Sequence, residues 1–432
     1  MNFMRGESPA HEYIGKVNVR MRNQGQLLKV SCTVLFCLFT FFYIYTYQCD
    51  LISYGQMVLS EGKTHFDRTI GSLLLTVALY MVQLFVNGLV RPHDRFVALT
   101  FFPSLLILTF ITDIPKDIDR SFSLGGWMWV GPLLLLLFSF LVWLLRQWSV
   151  RWQPSNTSFF HDLWINLSIM VLMFFLVCCV SNSDELFHRQ LRMERFAING
   201  DYEDVMDEMA EVETPDDHLT LLTAFALSQE SLLGEHFFEY PVGQGSEIID
   251  PDNSSLRTYL IPKEVMSHAY GHPFWKDDYE LTRLLMDRRL MDFAKKVKTC
   301  YSDSTMPKHF REAMAVFRDS KEAELLKQQE EAALREEMEK AKKERRKVKG
   351  KKAKKKEIII HPADSIMSVR YETYQLLLQS SKDKRVVYNL SRKYYHDTYW
   401  HYYHFPIKKE APCNRCLFLY GMFDYRVFVN SP

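Results

Sequence analysis

Cys413-Asn414-Arg415-Cys416 is the one spacing in the chain that matches a chemical motif, two thiols separated by two residues. Such a pair could hold a soft divalent ion, carry out thiol–disulfide exchange or close a small disulfide loop. His396, His401 and His404 lie a short way upstream and would complete a tetrahedral zinc set of two sulfurs and two nitrogens. The spacing departs from that of a standard finger, and no second Cys-x-x-Cys follows. A disulfide or two ordinary thiols therefore outweighs metal, and no metal ligand is assigned. A disulfide would also require a compartment more oxidising than the cytosol.

Elsewhere the residue types that do chemistry do not converge. No His-Glu-x-x-His, Gly-x-Ser-x-Gly, phosphate-loop or dinucleotide glycine pattern occurs. His218, His236, His268, His272 and His309 are scattered, the acids from Asp201 to Asp217 read as a helix surface, and Gly200-Asp201 is a turn signal. The sequence assigns no catalytic residue, no cofactor-binding residue and no cofactor. Lysine plus arginine (53) balances aspartate plus glutamate (52), so no global charge favours specific nucleic acid as a partner.

The elements that would position such groups change character after Leu163 to Val180, the last strongly apolar run. Up to there, runs at about 30–47, 69–90, 96–114, 127–145 and 163–181 are each expected to cross a hydrocarbon core about 30 Å thick, which takes roughly 20 helical residues. The first is read as a retained anchor. It exceeds the roughly 7 to 15 apolar residues of a cleaved leader and ends in Tyr45-Thr46-Tyr47-Gln48. The third contains Pro103, so a neighbouring group must satisfy the backbone that proline frees. No Asp, Glu, Lys or Arg sits in the middle of a span, which argues against a pump or coupled transporter. Gln83, Asn87 and Asn166 read as interhelical hydrogen-bonding groups. Cys32, Cys37, Cys178 and Cys179 serve as small hydrophobes.

Five spans place the termini on opposite sides. Arg5, Lys16, Arg20, Arg22 and Lys29 precede the first span, Arg91 and Arg95 follow the second, and Arg146 and Arg151 follow the fourth. The other connections carry Lys63 with Arg68 and Lys116 with Arg120. This asymmetry puts the tail 1–26 in the cytoplasm and the C-terminal region outside it, with Arg189, Arg192 and Arg195 pulling the other way.

Residues 183–320 read as a helical soluble domain. Leu186, Leu191, Met193 and Phe196 form one stripe, Asn199-Gly200-Asp201 a turn, and Val205, Met206, Met209 and Val212 a second stripe. A helix, a glycine turn and a second helix is the tetratricopeptide-like unit of an α solenoid. Clean repeats of about 34 residues are absent, so an irregular helical domain stands beside that reading. A second pair is expected over Leu219–Ala226 and Leu232–Phe238, a loop over Pro241–Pro262, and helices over Tyr279–Val297 and Pro307–Phe317. Residues 321–357 are Lys/Glu-rich. Glu331 with Arg335 and Glu336 with Lys340 suit a solvated helix or linker, favoured over a contact with anionic lipid or nucleic acid. Residues 358–432 form a small mixed, aromatic-rich segment, with strands expected at Ile358–Ile360, Val386–Tyr388 and Val427–Val429, a helix at Met367–Leu378 and a packed aromatic cluster over Tyr394–Phe405.

Met306-Pro307-Lys308-His309-Phe310-Arg311-Glu312-Ala313-Met314 and Asp397-Thr398-Tyr399-Trp400-His401-Tyr402-Tyr403-His404-Phe405, with Pro103-Ser104-Leu105-Leu106 and Leu227 to Tyr240, resemble an uncharacterised family of Gram-negative multi-span inner-membrane proteins with a tetratricopeptide-like C-terminal region. The resemblance implies an inner-membrane, periplasm-facing arrangement and no particular activity. The Lys-rich stretch 321–356 departs from the family pattern. The expected architecture is an all-α membrane protein of five transmembrane helices followed by a helical repeat-like soluble region. Its expected role is that of an anchored interaction scaffold whose partners are the lipid bilayer and envelope proteins. The alternative is an enzyme or transport component acting on lipid-linked or envelope glycan substrates. Acids and histidines converging with aromatics near the fifth span would favour that alternative.

Overall fold

A computed structural model describes residues 9–120, 125–149, 159–214, 216–250, 252–253, 255–270, 275–302, 304–320 and 362–405. Cys413, Cys416, the charged stretch 321–357 and the strands expected at 358–360 and 427–429 lie outside the described residues. Among the described residues the regular structure is entirely helical. The chain divides into two compact units between Leu191 and Arg192, nine residues beyond the expected boundary at 182/183.

The first unit contains five helices long and apolar enough to cross a membrane, at Gln24–Leu59, Arg68–Val90, Asp94–Thr112, Trp127–Gln147 and Phe159–Val180. α1 (Pro9–Phe42) runs through a π-helical turn, Tyr43–Gln48, into α2 (Cys49–Leu59). A π turn shifts carbonyls off the regular i to i−4 ladder. Arg68 occupies one of them, its Nε donating to the Tyr45 carbonyl at 2.9 Å while its guanidinium lies 4.4 Å from the Tyr45 ring centre. α3 (Arg68–Val90) is capped at its start by Asp67, which accepts from the Thr69 and Ile70 amides at 3.0 and 2.7 Å.

The third apolar element begins as a 3₁₀ helix, Asp94–Phe101, and becomes α4 (Phe102–Thr112), with Pro103 in the first α-helical turn. Proline costs little there, because its missing N–H would have no partner inside the helix. Phe96 leaves helical geometry at φ −127° inside the 3₁₀ segment, so the element is kinked, and its 19 residues, Asp94–Thr112, are together long and apolar enough to cross a membrane. The buried Asn166 secures the 3₁₀ segment. Its Oδ1 accepts from the Ala98 amide at 2.7 Å, and its Nδ2 reaches the Asp94, Arg95 and Asp162 carbonyls at 3.0, 3.1 and 2.8 Å. Gln83 donates to Thr100 at 3.1 Å and Ser104 to the Leu79 carbonyl at 2.8 Å, so these two also link neighbouring helices.

The core of this unit is built by α1, α3, α4 and α6 (Phe159–Val180), with Cys32, Phe36, Leu79, Phe101, Leu105, Met170 and Val177 buried. Phe39 stacks on Phe174 at 3.9 Å and Phe36 meets Phe101 at 4.9 Å. α5 (Trp127–Ser149) differs. It meets α4 through Phe138 on Phe102 at 5.3 Å and through Trp127, whose Nε1 donates to Asp113 at 2.7 Å, while ten of the large apolar side chains among its described residues are exposed.

The helices run up and down. At one end, Lys116 pairs with Asp184 at 2.6 Å, Asn182 donates to the Ile114 carbonyl at 2.8 Å, and Gln48 and His188 both reach the Asn182 carbonyl, at 3.3 and 3.0 Å. At the other end Arg95 pairs with Asp162 at 3.1 Å.

The second unit follows the C-terminal part of α7 (Glu185–Asn199) with α8 (Tyr202–Ala210), α9 (Asp217–Gln229), the short α10 (Leu233–His236), α11 (Lys263–Tyr270), α12 (Lys276–Met286), α13 (Leu290–Cys300), α14 (Lys308–Arg318), α15 (Pro362–Gln379), α16 (Lys384–Tyr395) and α17 (Tyr399–His404). Gly200 takes φ +83° between α7 and α8, and the Asp201 amide closes back onto the Phe196 carbonyl at 3.0 Å. That left-handed position suits a residue without Cβ. The apolar periodicity over Tyr279–Val297 resolves into two helices, separated at Arg288 with φ +57°. α9 is the central element, buried at every position from Leu219 to Ser228.

Val386–Tyr388, expected as a strand, lies inside α16. Asp383 caps the helix by accepting from the Arg385 amide at 2.9 Å, and Val387, Ser391 and Tyr395 recur every four residues on its buried side. Helical packing overrides the local β preference of two adjacent valines. The described part of the C-terminal segment is thus helical, not mixed.

Candidate functional site

Pro307 starts α14 with φ −56° and places Lys308, His309 and Glu312 in its first turns. His309 and Glu312, three apart, share the buried side of the helix. Glu312 Oε2 accepts the Tyr399 amide at 2.8 Å and lies 3.0 Å from His309 Nδ1, while Trp400 Nε1 donates to the Glu312 carbonyl at 3.0 Å. The ring of Phe238 meets His309 edge-on at 5.4 Å. His309 Nε2 is buried and has no hydrogen-bond partner among the described residues.

A half-buried ion-pair network surrounds this pair. The Lys308 amide donates to Glu235 at 2.7 Å, and its ammonium reaches Glu239 at 2.5 Å and Asp397 at 3.4 Å. Arg370 donates to the other oxygen of Asp397 at 2.8 Å, and His236 Nδ1 lies 2.8 Å from Glu239. Burial pushes the Glu239 carboxyl up, but hydrogen bonds from Lys308 and His236 outweigh it and hold the group below its ordinary value. Asp397 behaves in the same way, with burial outweighed by the Arg370 hydrogen bond and charge and by Lys308. Burial lowers Lys308, and its hydrogen bond to Glu239 together with nearby carboxylates more than restores it. A general acid or base works best with a pKa near the operating pH. These groups are driven away from neutrality in both directions, so the network works as a clasp between α14, α15 and the segments around Glu239 and Asp397.

The aromatic cluster expected over Tyr394–Phe405 is present and its polar tips are bonded. Tyr399 OH donates to the Leu285 carbonyl at 3.1 Å, Tyr402 OH to Gly243 at 3.1 Å, and Tyr374 OH to Trp400 at 3.0 Å. The three candidate imidazoles do not meet at one point. His401 Nδ1 lies 2.7 Å from Ser391 Oγ, His404 Nδ1 lies 3.1 Å from the Trp400 carbonyl, and His396 is exposed. No group of three His, Cys, Asp or Glu side chains among the described residues could hold a metal ion. Burial drives the His401 pKa down to about 4, helped by the charges of His396 and Arg392.

A further buried carboxylate, Glu194 on α7, accepts three successive backbone amides, those of Tyr259, Leu260 and Ile261, at 2.8, 2.5 and 3.2 Å. It holds a loop that has no regular ladder of its own. Sequence reading missed Glu194, since its partners lie about 65 positions away and Arg192 and Arg195 mask it as surface. The His309–Glu312 pair had a readable signal, an i, i+3 spacing just inside a proline-started amphipathic helix. Comparison of the chain with protein-family models, curated proteins and solved structures finds no match in any of the three.

Proposed function

We propose that this chain is a multi-pass inner-membrane protein that presents a helical, repeat-like unit outside the cytoplasm as an interaction platform, with envelope proteins as its partners. The observation that carries the reading is the use made of the buried and half-buried charged groups in the second unit. Glu194, Glu312, Lys308 and Asp397 each hold a loop or a helix in place. Bonding of this kind makes a rigid helical surface, which is what a solenoid-type binder requires. The helix–turn–helix pairs α7–α8 and α12–α13 support the repeat-like description, as does the resemblance to the Gram-negative envelope family.

The up-and-down packing of the first unit supports the orientation. Arg91, Arg95 and Arg146 fall at or next to one end, where positively charged connections favour the cytoplasm. An impermeant thiol reagent applied to intact spheroplasts, with a single cysteine introduced at Asp252 in a background from which Cys49, Cys300, Cys413 and Cys416 are removed, tests the orientation, and labelling only after lysis overturns it. A photo-crosslinking residue at the exposed Ile198 or Val265 tests the platform in cells. Discrete adducts at one of these positions are expected. Their absence at both, with the protein at normal abundance, refutes the platform reading.

A further inference from the structure

Two buried acceptors meet beside the π-helical turn of the first unit, Tyr43–Gln48, and no described group serves either. Gln48 is fully buried and His188, in the first turn of α7, is 4% exposed. Gln48 Oε1 and His188 Nδ1 nevertheless have no hydrogen-bond partner among the described residues. Leaving a buried polar atom in that state carries its full desolvation cost, so such an atom points to a ligand. Single π turns of this kind recur at functional sites.

One carbonyl fixes the chemistry of both atoms. Asn182, just past the end of α6, is pinned three ways: its amide donates to the Thr112 carbonyl at 3.2 Å, and its side chain donates to the Ile114 carbonyl at 2.8 Å and accepts from the Asp184 amide at 3.0 Å. The Asn182 backbone carbonyl can only accept, so Gln48 Nε2 at 3.3 Å and His188 Nε2 at 3.0 Å both donate to it. For Gln48 this settles which end of the amide is oxygen, since the flipped group would set two oxygens together. For His188 it puts the proton of the neutral ring on Nε2 and leaves Nδ1 a lone pair. A doubly protonated ring would instead bury a second N–H with no acceptor. What satisfies the two atoms must therefore donate.

The two side chains belong to one circuit. Gln48 Nε2 also donates to Tyr43 OH at 2.9 Å, the Tyr43 and Tyr47 rings stack at 6.0 Å, and the Tyr47 ring lies 4.9 Å from that of His188. With Asn182 these residues join the π turn, the end of α6 and the start of α7. Because Gln48 and His188 touch the same oxygen, their open acceptors lie one amide width and one ring width from it. The acids beside His188 in sequence are engaged, Asp184 with Lys116 at 2.6 Å and Glu185 with Arg189 at 3.4 Å. Both acceptors are neutral, so an uncharged O–H suits them better than a cation.

We propose that Gln48 Oε1 and His188 Nδ1 form a binding site for a small uncharged hydroxyl donor, which bridges them and holds the first turn of α7 to the π turn. Water supplies two O–H groups on one oxygen, matching two acceptors. A lipid headgroup with hydroxyls supplies the same chemistry, and Asn182 lies just beyond the apolar helix Phe159–Val180, where headgroups begin. Only the headgroup source rests on the reading that the first unit spans a bilayer.

The test is solid-state nitrogen NMR of the full chain with isotope-labelled histidine, in bilayers of phosphatidylcholine, whose headgroup has no hydroxyl, or of phosphatidylglycerol, whose headgroup has hydroxyls. His188 is assigned by difference from His188→Gln. A protonated Nε2 is expected, with an unprotonated Nδ1 shifted upfield of the bare-acceptor position. Magnetisation reaching Nδ1 from water protons in both lipids identifies water as the donor; an upfield shift in phosphatidylglycerol alone, with transfer from headgroup protons, identifies the lipid. Gln48→Met removes Oε1 and should move Nδ1 back toward the bare position, because the donor loses one of its two anchors. Tyr43→Phe keeps both acceptors and should leave Nδ1 where it is. Nδ1 at the bare position in both lipids overturns the proposal, as do protons on both nitrogens or an Nδ1 shift indifferent to Gln48→Met. The wild-type spectra decide the site even where Gln48→Met fails to fold. Repeating them in hydroxyl-free detergent micelles separates the site from the bilayer reading, since a water-shifted Nδ1 there stands whether or not the chain enters bilayers.

Discussion

His401 makes the second unit sensitive to mild acid. Its ring is buried among Tyr388, Phe405 and Ser391, with Nδ1 2.7 Å from the serine hydroxyl. Burial, with help from His396 and Arg392, holds its pKa at about 4, against an ordinary value near 6.5 in the unfolded chain. The folded state thus prefers the neutral ring. Above about pH 6.5 both states are neutral and no stability is lost. As the pH falls from 6.5 towards 4 the unfolded chain takes up a proton that the folded chain refuses, and stability declines with each step. At 1.36 kcal/mol per unit the loss reaches about 2 kcal/mol by pH 5, or about thirtyfold in the opening equilibrium. Glu239 and Asp397 are depressed carboxyls whose contribution is lost only as pH falls through the carboxylate range, lower still. Hydrogen exchange of the full-length protein across residues 384–405, corrected for intrinsic exchange rates, measures the opening free energy between pH 7.5 and 5. His401→Gln keeps a hydrogen-bonding side chain without the titration, so its protection should fall by about 2 kcal/mol less over that range. Equal pH dependence in the two proteins would refute the reasoning, whatever their stabilities at pH 7.5.

Three further substitutions probe the braces. Asn166→Leu strands the buried Ala98 amide and releases two carbonyls of the 3₁₀ entry to α4, those of Asp94 and Arg95, at a cost of at least about 2 kcal/mol, read as a lowered midpoint of thermal unfolding in detergent. An unchanged midpoint would show that the 3₁₀ segment holds itself. Gly234→Ala would set a methyl 2.9 Å from the Phe310 ring and from Pro307 Cβ, and overpacking there should cost about 1 to 3 kcal/mol and accelerate proteolysis of the second unit. Glu194→Ala leaves three backbone amides facing a void, so the Tyr259–Ile261 loop should lose exchange protection by more than tenfold, which corresponds to more than about 1.4 kcal/mol.

Hydrophobic length and period were enough to read the five long apolar helices, the turn at Gly200 and the helical character of residues 183–320. Each of these depends on local composition and on which side chains fall on one face, and both are written along the chain. The aromatic density of Tyr394–Phe405 was legible for the same reason. Local reading failed at Val386–Tyr388, where a β-favouring pair sits on a helix whose identity comes from residues buried every four positions. It failed also for Asp94–Phe101, whose 3₁₀ form depends on an asparagine about 70 positions later. The anchoring of Glu312 and the Lys308 clasp depend on Tyr399, Asp397 and Arg370, which are roughly 60 to 90 residues away in sequence. What the sequence determined alone was which stretches are long and apolar and which are not, because transfer of apolar surface from water is additive along a chain. What the tertiary structure decided was the fate of each titratable group, because a pKa and a hydrogen bond depend on what folding brings within about 4 Å, and pairs that distant share no local signal.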